Sequence, residues 1–235
     1  CRQHSLEGTS GSCRGWTKSM IVLYVIVEYF CGSLMFSYWL ARLVNRDLTK
    51  VGDGNPGAFN LWHAAGYKLG LTGVVLDFLK GYFPLVFLLK NDSIQGMEVI
   101  PVALAPILGH IFSPFLGFQG GKAIAVTFGV WSALTQFRVS LVYAIILAVL
   151  FLVGRQVSHG TPLPTEVDGL MVVFGLALVG IYLFSQNYPG YLILIWLCNL
   201  ILLRFTNRAK LRRLVREMDE KYQVKEFLAR FHHPD

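Results

Sequence analysis

The sequence predicts an all-α membrane protein of about seven transmembrane helices joined by glycine-rich cytoplasmic loops. Three observations carry that prediction. Hydrophobic residues make up 54% of the 235 residues and charged residues only 15%, against about 25% in a soluble domain, and the mean hydropathy is +0.51. The apolar residues are gathered into long runs separated by short polar or Gly/Pro-bearing turns. None of the runs shows the alternation over roughly ten residues that a barrel strand needs, and only helices or closed barrels satisfy their backbone in lipid. This balance excludes a soluble domain, a disordered chain, a collagen-like repeat and a disulfide scaffold.

In chain order, residues 1–19 are polar and aperiodic and read as a leader, non-native or disordered, ahead of Met20. A cleaved signal peptide is not expected, because the run after Met20 is long enough to span and lacks a small-residue cleavage site. Residues 20–206 form the transmembrane domain, with apolar runs at 21–43, 69–89, 97–112, 122–137, 139–154, 168–186 and 190–206. Turns such as Lys90-Asn91-Asp92 and Asn187-Tyr188-Pro189 separate them.

Residues 207–235 form a basic amphipathic tail. From Arg204 onward the chain holds nine Lys/Arg (Arg204, Arg208, Lys210, Arg212, Arg213, Arg216, Lys221, Lys225 and Arg230) against five acids. Positive charge collects on the cytoplasmic side, so the tail is expected there, together with the connections 44–60, 113–121 and 155–167. Within the tail Leu211, Leu214, Val215, Met218 and Tyr222, then Val224, Phe227, Leu228 and Phe231, recur at helical spacing, which places a helix on the inner leaflet of a phospholipid bilayer. The net charge of +7 is therefore assigned to membrane orientation and not to nucleic acid, since acids interleave the basic residues and no nucleic-acid module is present.

Four cysteines (Cys1, Cys13, Cys31 and Cys198) form no metal-ligand spacing, and no carboxylate cluster could hold a divalent ion. Neither an acyltransferase His-x-x-x-x-Asp nor a G-x-S-x-G elbow occurs. Chemistry is concentrated in three segments instead. The first is Gly52-Asp53-Gly54-Asn55-Pro56-Gly57-Ala58-Phe59-Asn60. It matches G-x-G-x-x-G only formally, without the strand and βαβ unit of a dinucleotide site. Its physical content is an exposed run of backbone N–H groups that can nest an anion such as phosphate, or a mere turn between helices.

The second segment, Asp77-Phe78-Leu79-Lys80-Gly81-Tyr82-Phe83-Pro84, puts a carboxylate and an ammonium three residues apart on one helix face inside an apolar run. Each charge costs about 2.5–3.5 kcal/mol at the bilayer centre, so the two form either a structural pair or part of a ligand-facing pocket. The third runs from Gly109-His110 through Phe118-Gln119-Gly120-Gly121-Lys122 into AIAVTFGVW. Two glycines and a lysine before a helix make an anion site from N–H groups, dipole and ammonium. Ala123 after the lysine departs from a Walker A sequence, and His110 is a candidate base or phosphate donor, or a histidine satisfied in the core. Together, two glycine-rich nests with Lys80 and Lys122 describe one site for a phosphorylated molecule at the membrane surface.

In order and spacing these three segments resemble the bacterial integral-membrane glycerol-3-phosphate acyltransferases that use acyl-phosphate as donor. That family carries G-S-G-N-x-G-A-T-N, D-x-x-K-G-x-x-P and G-H-x-F…F-x-G-G-K-G, where this chain reads GDGNPGAFN, DFLKGYFP and GHIFSPFLGFQGGKA. The resemblance implies a multi-pass protein of the bacterial inner membrane with a cytoplasmic C-terminus. It also implies transfer of an acyl group from acyl-phosphate to glycerol-3-phosphate, giving lysophosphatidic acid and phosphate without cofactor, metal or coenzyme A. On this view Asp53, Asn55, His110 and Ser140 are the catalytic candidates. Lys50, Gly54, Gly57, Asn60, Lys80, Gly120, Gly121, Lys122 and Asn207 would bind substrate.

The chain departs from the family pattern in places. Asp53 stands for serine, Phe59 for threonine and Ala123 for glycine. Thr49 occupies the place of an arginine, with Lys50 beside it and Arg46 nearby, and Asn207-Arg208-Ala209-Lys210-Leu211 stands where H-R-x-N-I is usual. A carboxylate beside a phosphate nest needs compensation, either by Lys50 or Arg46 or through a role for Asp53 in accepting the acceptor hydroxyl's proton. Alternative functions are a non-catalytic binder of phospholipid or acyl-phosphate and a small-solute transporter. Inverted repeats would favour the latter, and none is visible.

Overall fold

The structure, a computed structural model, describes residues 10–158 and 165–231. Among the described residues there are ten α-helices and no strand. The chain divides into two compact units. The first comprises residues up to Ser140 together with Pro189–Ile195, and the second Leu141–Tyr188 with Trp196 onward.

The first unit begins with α1 (Ser10–Ser33) and α2 (Phe36–Leu43). Residues 10–19, expected to lie outside the fold, form the opening turns of α1, while residues 1–9 lie outside the described ones. The run 21–43, expected as one helix, is broken at Leu34 and Met35. The break releases the Leu34 carbonyl, which accepts a hydrogen bond from Lys80 Nζ. Next come α3 (Ala58–Ala65) and α4 (Tyr67–Lys90), and α4 continues through Pro84. Then follow α5 (Val99–Ile111) and α6 (Ile124–Thr135).

Glycines bring these backbones together. A methyl group added to Gly81 of α4 would lie 2.8 Å from Val126 O, and one on Gly129 of α6 would lie 3.1 Å from Tyr82 N. Two bonds tie α1 to the end of α5: Ser113 Oγ donates to Ser33 O at 2.7 Å and Tyr29 OH to Phe112 O at 2.6 Å. Small residues at a helix contact permit such close approach in lipid, where apolar burial alone drives no association.

The second unit holds most of α7 (Arg138–Val157), all of α8 (Thr165–Ser185), most of α9 (Gly190–Thr206) and α10 (Arg208–Phe231). Tyr143 OH donates to Val172 O at 2.8 Å and Trp196 Nε1 to Leu176 O at 2.7 Å, so two large side chains bridge helices with their polar tips satisfied. The expected tail helix is present as α10, bent by 63° from α9 at Asn207. Leu211 and Leu214 are half-buried on it. The side chains of Met218, Tyr222, Val224, Phe227, Leu228 and Phe231 lie outside the described ones.

Among the described residues five helical segments are long and apolar enough to cross a membrane: Ser19–Leu43, Tyr67–Lys90, Gly96–Leu116, Arg138–Val157 and Val167–Ser185. A sixth results if Gly190–Thr206 and Arg208–Glu217 are counted as one bent span. The expected seventh, the run 122–137, forms only the 12-residue α6. At 1.5 Å per residue such a helix is about 18 Å long, short of the ~30 Å hydrocarbon core. The chain is an all-α, multi-pass membrane protein; among the described residues five segments, or six with the bent pair, are long and apolar enough to span, which does not reach the expected seven.

Candidate functional site

The first glycine-rich segment folds into a loop closed by one amide. Asn60, buried at the start of α3, directs Nδ2 at Val51 O (2.7 Å), Asn55 O (2.9 Å) and Asp53 Oδ1 (3.2 Å). Two hydrogens shared among three acceptors leave this group no donor for a ligand, so the geometry makes Asn60 the loop's fastener, where a substrate contact was expected. Gly54 turns the chain at φ +73° and donates its N–H to Val51 O at 3.0 Å. Gly57 caps α3, and a methyl there would lie 2.9 Å from Asn55 Nδ2, so the Asn55 amide covers that glycine. The Asn55 N–H donates to Asp53 Oδ1 at 3.3 Å.

Asp53 Oδ2 accepts from Lys122 Nζ in an ion pair that joins loops 69 residues apart in sequence. The compensating cation is thus Lys122, neither of those expected. Lys50 is exposed and sits 3.9 Å from Asp47. Asp47 itself accepts from Thr49 Oγ1 (2.7 Å) and Thr49 N (3.1 Å), and these bonds hold its carboxyl below the ordinary carboxylate range.

Behind this pair lies a buried polar cluster. Lys80 Nζ forms an ion pair with Asp77 Oδ1 at 2.7 Å, meets His110 Nδ1 at 2.9 Å and donates to Leu34 O. Ser37 Oγ donates to Asp77 Oδ2 at 3.1 Å. Asp77, Lys80 and His110 are 3%, 6% and 3% exposed, which is tolerable in lipid only because the charges meet each other. Lys80 Nζ hydrogen-bonds Leu34 O and His110 Nδ1, while Asp77 Oδ1 meets it as an ion pair and has no hydrogen-bond partner among the described residues. Lys80 is thus engaged by protein groups and only 6% exposed, where a substrate contact was expected.

The Gly120-Gly121 pair also differs from expectation. Gly120 N donates to Ile111 O and Gly121 N to His110 O, both at 3.0 Å, so these N–H groups close the end of α5 and are not presented to an anion. Both residues must be glycine for packing reasons: any Cβ at Gly120 would collide with His110 O, and one at Gly121 with His110 Nε2. Lys122 follows, partly exposed, and Ala123 precedes α6 in the left-handed conformation at φ 60°.

The structure therefore brings together Asp53, Asn55, Gly54, Gly57 and Asn60 with Lys122, and separately His110 with Lys80, Gly120 and Gly121. Ser140 is buried in the α6–α7 junction, accepting from Ser132 Oγ at 2.8 Å and donating to Phe137 O at 3.0 Å, a local structural role. Asn207 belongs to the second unit, where Nδ2 donates to Leu203 O at 2.9 Å and braces the bend before α10. Sequence reasoning missed Ser37 and the Leu34 carbonyl; a serine inside the first apolar run was the available signal. It also passed over Glu28, fully buried in α1, whose carboxyl oxygens have no hydrogen-bond partner among the described residues. Among those residues no group of three or more His, Cys, Asp or Glu could hold a metal ion.

A family profile described as glycerol-3-phosphate acyltransferase matches residues 22–217. The chain is 36% identical over 196 residues to glycerol-3-phosphate acyltransferase 1 of Thermotoga maritima, covering 82% of this chain and 96% of that protein. It is 31% identical over 198 residues to the glycerol-3-phosphate acyltransferase of Aquifex aeolicus, covering 84% and 97%. Among solved structures it resembles the glycerol 3-phosphate form of PlsY, an integral membrane glycerol 3-phosphate acyltransferase. The TM-score is 0.74 at 30% identity, over 84% of this chain and 93% of that one. The lysophosphatidic acid form of PlsY gives 0.73 and 29% with the same coverage.

Proposed function

Because this chain belongs to the bacterial integral-membrane glycerol-3-phosphate acyltransferase family, we propose that it transfers a fatty acyl group from acyl-phosphate to glycerol-3-phosphate. The products are lysophosphatidic acid and inorganic phosphate. The observation that carries this reading is the Lys122–Asp53 ion pair, which sets a phosphate-binding ammonium beside a proton-accepting carboxylate where two glycine-bearing loops meet. That a relative is known in both a glycerol 3-phosphate and a lysophosphatidic acid form supports the acceptor and the product.

The chemistry asks little of the protein beyond placement. Lys122 holds a phosphate oxygen, a charge-assisted contact contributing about 1.5–3 kcal/mol. The acceptor hydroxyl attacks the acyl carbonyl carbon while Asp53 takes its proton. The acyl–oxygen bond to phosphate then breaks, and the proton passes to the departing phosphate, already a good leaving group. The Asn55 amide donates to the carbonyl oxygen as it gains charge. We place the reaction at the cytoplasmic face of the bacterial cell membrane; the excess of nine Lys/Arg over five acids from Arg204 onward supports a cytoplasmic tail.

The test uses purified full-length protein in nanodiscs with radiolabelled glycerol-3-phosphate and acyl-phosphate. Release of labelled lysophosphatidic acid is expected, and tight binding without turnover would mark a carrier and overturn the reading. Lys122→Ala should raise the KM of a phosphate substrate about 10- to 150-fold. Asp53→Ala should lower kcat by about 10²–10⁴, with partial recovery in Asp53→Ser. Unchanged turnover in Asp53→Ala would leave Asp53 a loop residue.

A further inference from the structure

The Asp77–Lys80–His110 cluster has no part in the mechanism above, yet it is built to a tight specification. Lys80 is a donor only, so at its 2.9 Å contact with Nδ1 the imidazole must accept. The opposed carboxylate at 2.7 Å favours the charged ammonium, and Ser37 donates to that carboxylate's other oxygen. With Nδ1 occupied as an acceptor, the ring hydrogen of a neutral His110 resides on Nε2. That nitrogen lies against Gly121, where no side chain could fit between the ring and the loop, and the next residue is Lys122.

We infer that Lys80, held by Asp77, is a positioning residue that locks His110 in the Nε2–H tautomer, so that the imidazole serves as a neutral hydrogen-bond donor to a substrate phosphate at the Gly121–Lys122 turn. This rests on the proposed phosphate chemistry of the same site. It excludes His110 as the general base, because the nitrogen facing the loop carries the hydrogen. It also gives the second motif a function: its lysine acts through the histidine and never touches substrate. The glycine pair has the matching task of letting the loop backbone reach the ring.

The experiment is imidazole ¹⁵N NMR on ¹⁵N-histidine-labelled full-length protein in nanodiscs, the His110 signal being identified by its loss in His110→Gln. In the wild type Nε2 is expected to resonate as the protonated nitrogen and Nδ1 as the bare one. Titration with glycerol-3-phosphate should shift Nε2 and leave Nδ1 nearly in place. Lys80→Met should convert the signal to averaged tautomers, and Lys80→Arg, which retains a donor, should keep the wild-type pattern. In binding assays His110→Ala should weaken glycerol-3-phosphate about 10- to 100-fold, with His110→Gln, whose amide can donate from the same place, recovering part of that loss.

A wild-type ring protonated on Nδ1 or on both nitrogens overturns the inference, and needs no variant to fold. So does a Lys80→Met protein that keeps the pure Nε2–H tautomer. If Nε2 is protonated but unmoved by glycerol-3-phosphate, the donor role falls. Failure of the acyl-phosphate reading appears separately, as absent turnover with an intact tautomer signature.

Discussion

Ala123 shows how one residue can break a local rule at little cost. It stands where the family has glycine, and it adopts φ 60° with only 1% of its surface exposed. The left-handed conformation costs an L-residue about 1–2 kcal/mol. Against that, alanine loses about 0.4–1 kcal/mol less chain entropy than glycine on folding, and its buried methyl contributes about 0.8 kcal/mol. The terms nearly cancel. Ala123→Gly is accordingly expected to move stability by less than about 1 kcal/mol in either direction, read as a melting shift of a few degrees or less in detergent. A large shift would mean that the methyl group or the turn carries energy not accounted for in these contacts.

At the level of elements, the helix contacts depend on missing side chains, and Gly129 is the sharpest case. A methyl group there would lie 3.1 Å from both Phe78 C and Tyr82 N, and it would also run into Phe78 O. These are backbone atoms of α4 that cannot swing aside. Gly129→Ala should therefore cost about 1–3 kcal/mol, as overpacking does, and lower the melting temperature without touching a site residue. Glu28 makes the opposite prediction. Its carboxyl is fully buried in α1 with no hydrogen-bond partner among the described residues. An unsatisfied buried polar group costs about 1–3 kcal/mol in proteins, so Glu28→Leu should raise the melting temperature. An equal or lower value would count against this view and point to a partner that α1 meets only in the membrane.

For the whole molecule, the sequence made the class, the helix runs and the three chemical segments legible, because hydropathy and glycine spacing are one-dimensional signals. What it hid was three-dimensional pairing. Nothing in Asp77-Phe78-Leu79-Lys80 announces that the ammonium's remaining hydrogens go to Leu34 and His110, 46 and 30 residues away. Nor does Gly-Gly-Lys distinguish N–H groups that cradle an anion from N–H groups consumed in closing α5. The break at Leu34 was invisible to hydropathy because the run stays apolar across it, and the run 122–137 gives no sign that α6 covers only twelve of its residues, because a window of apolar residues cannot see where a helix begins and ends.

The Lys122–Asp53 pair has one further effect, on the rate at which charged substrates arrive. Alone, the lysine would present a full positive charge at the mouth of the site and draw phosphates in from about a Debye length, roughly 8 Å at physiological ionic strength. Paired with Asp53, it presents a dipole whose field falls off faster, so capture relies on thermal encounter more than on attraction. Raising salt from low to physiological concentration should therefore slow glycerol-3-phosphate association only slightly in this protein. In Asp53→Ser, which removes the opposing carboxylate charge, the same change should slow it visibly; equal salt slopes in the two proteins, measured by stopped-flow, would show that the pair does not govern capture.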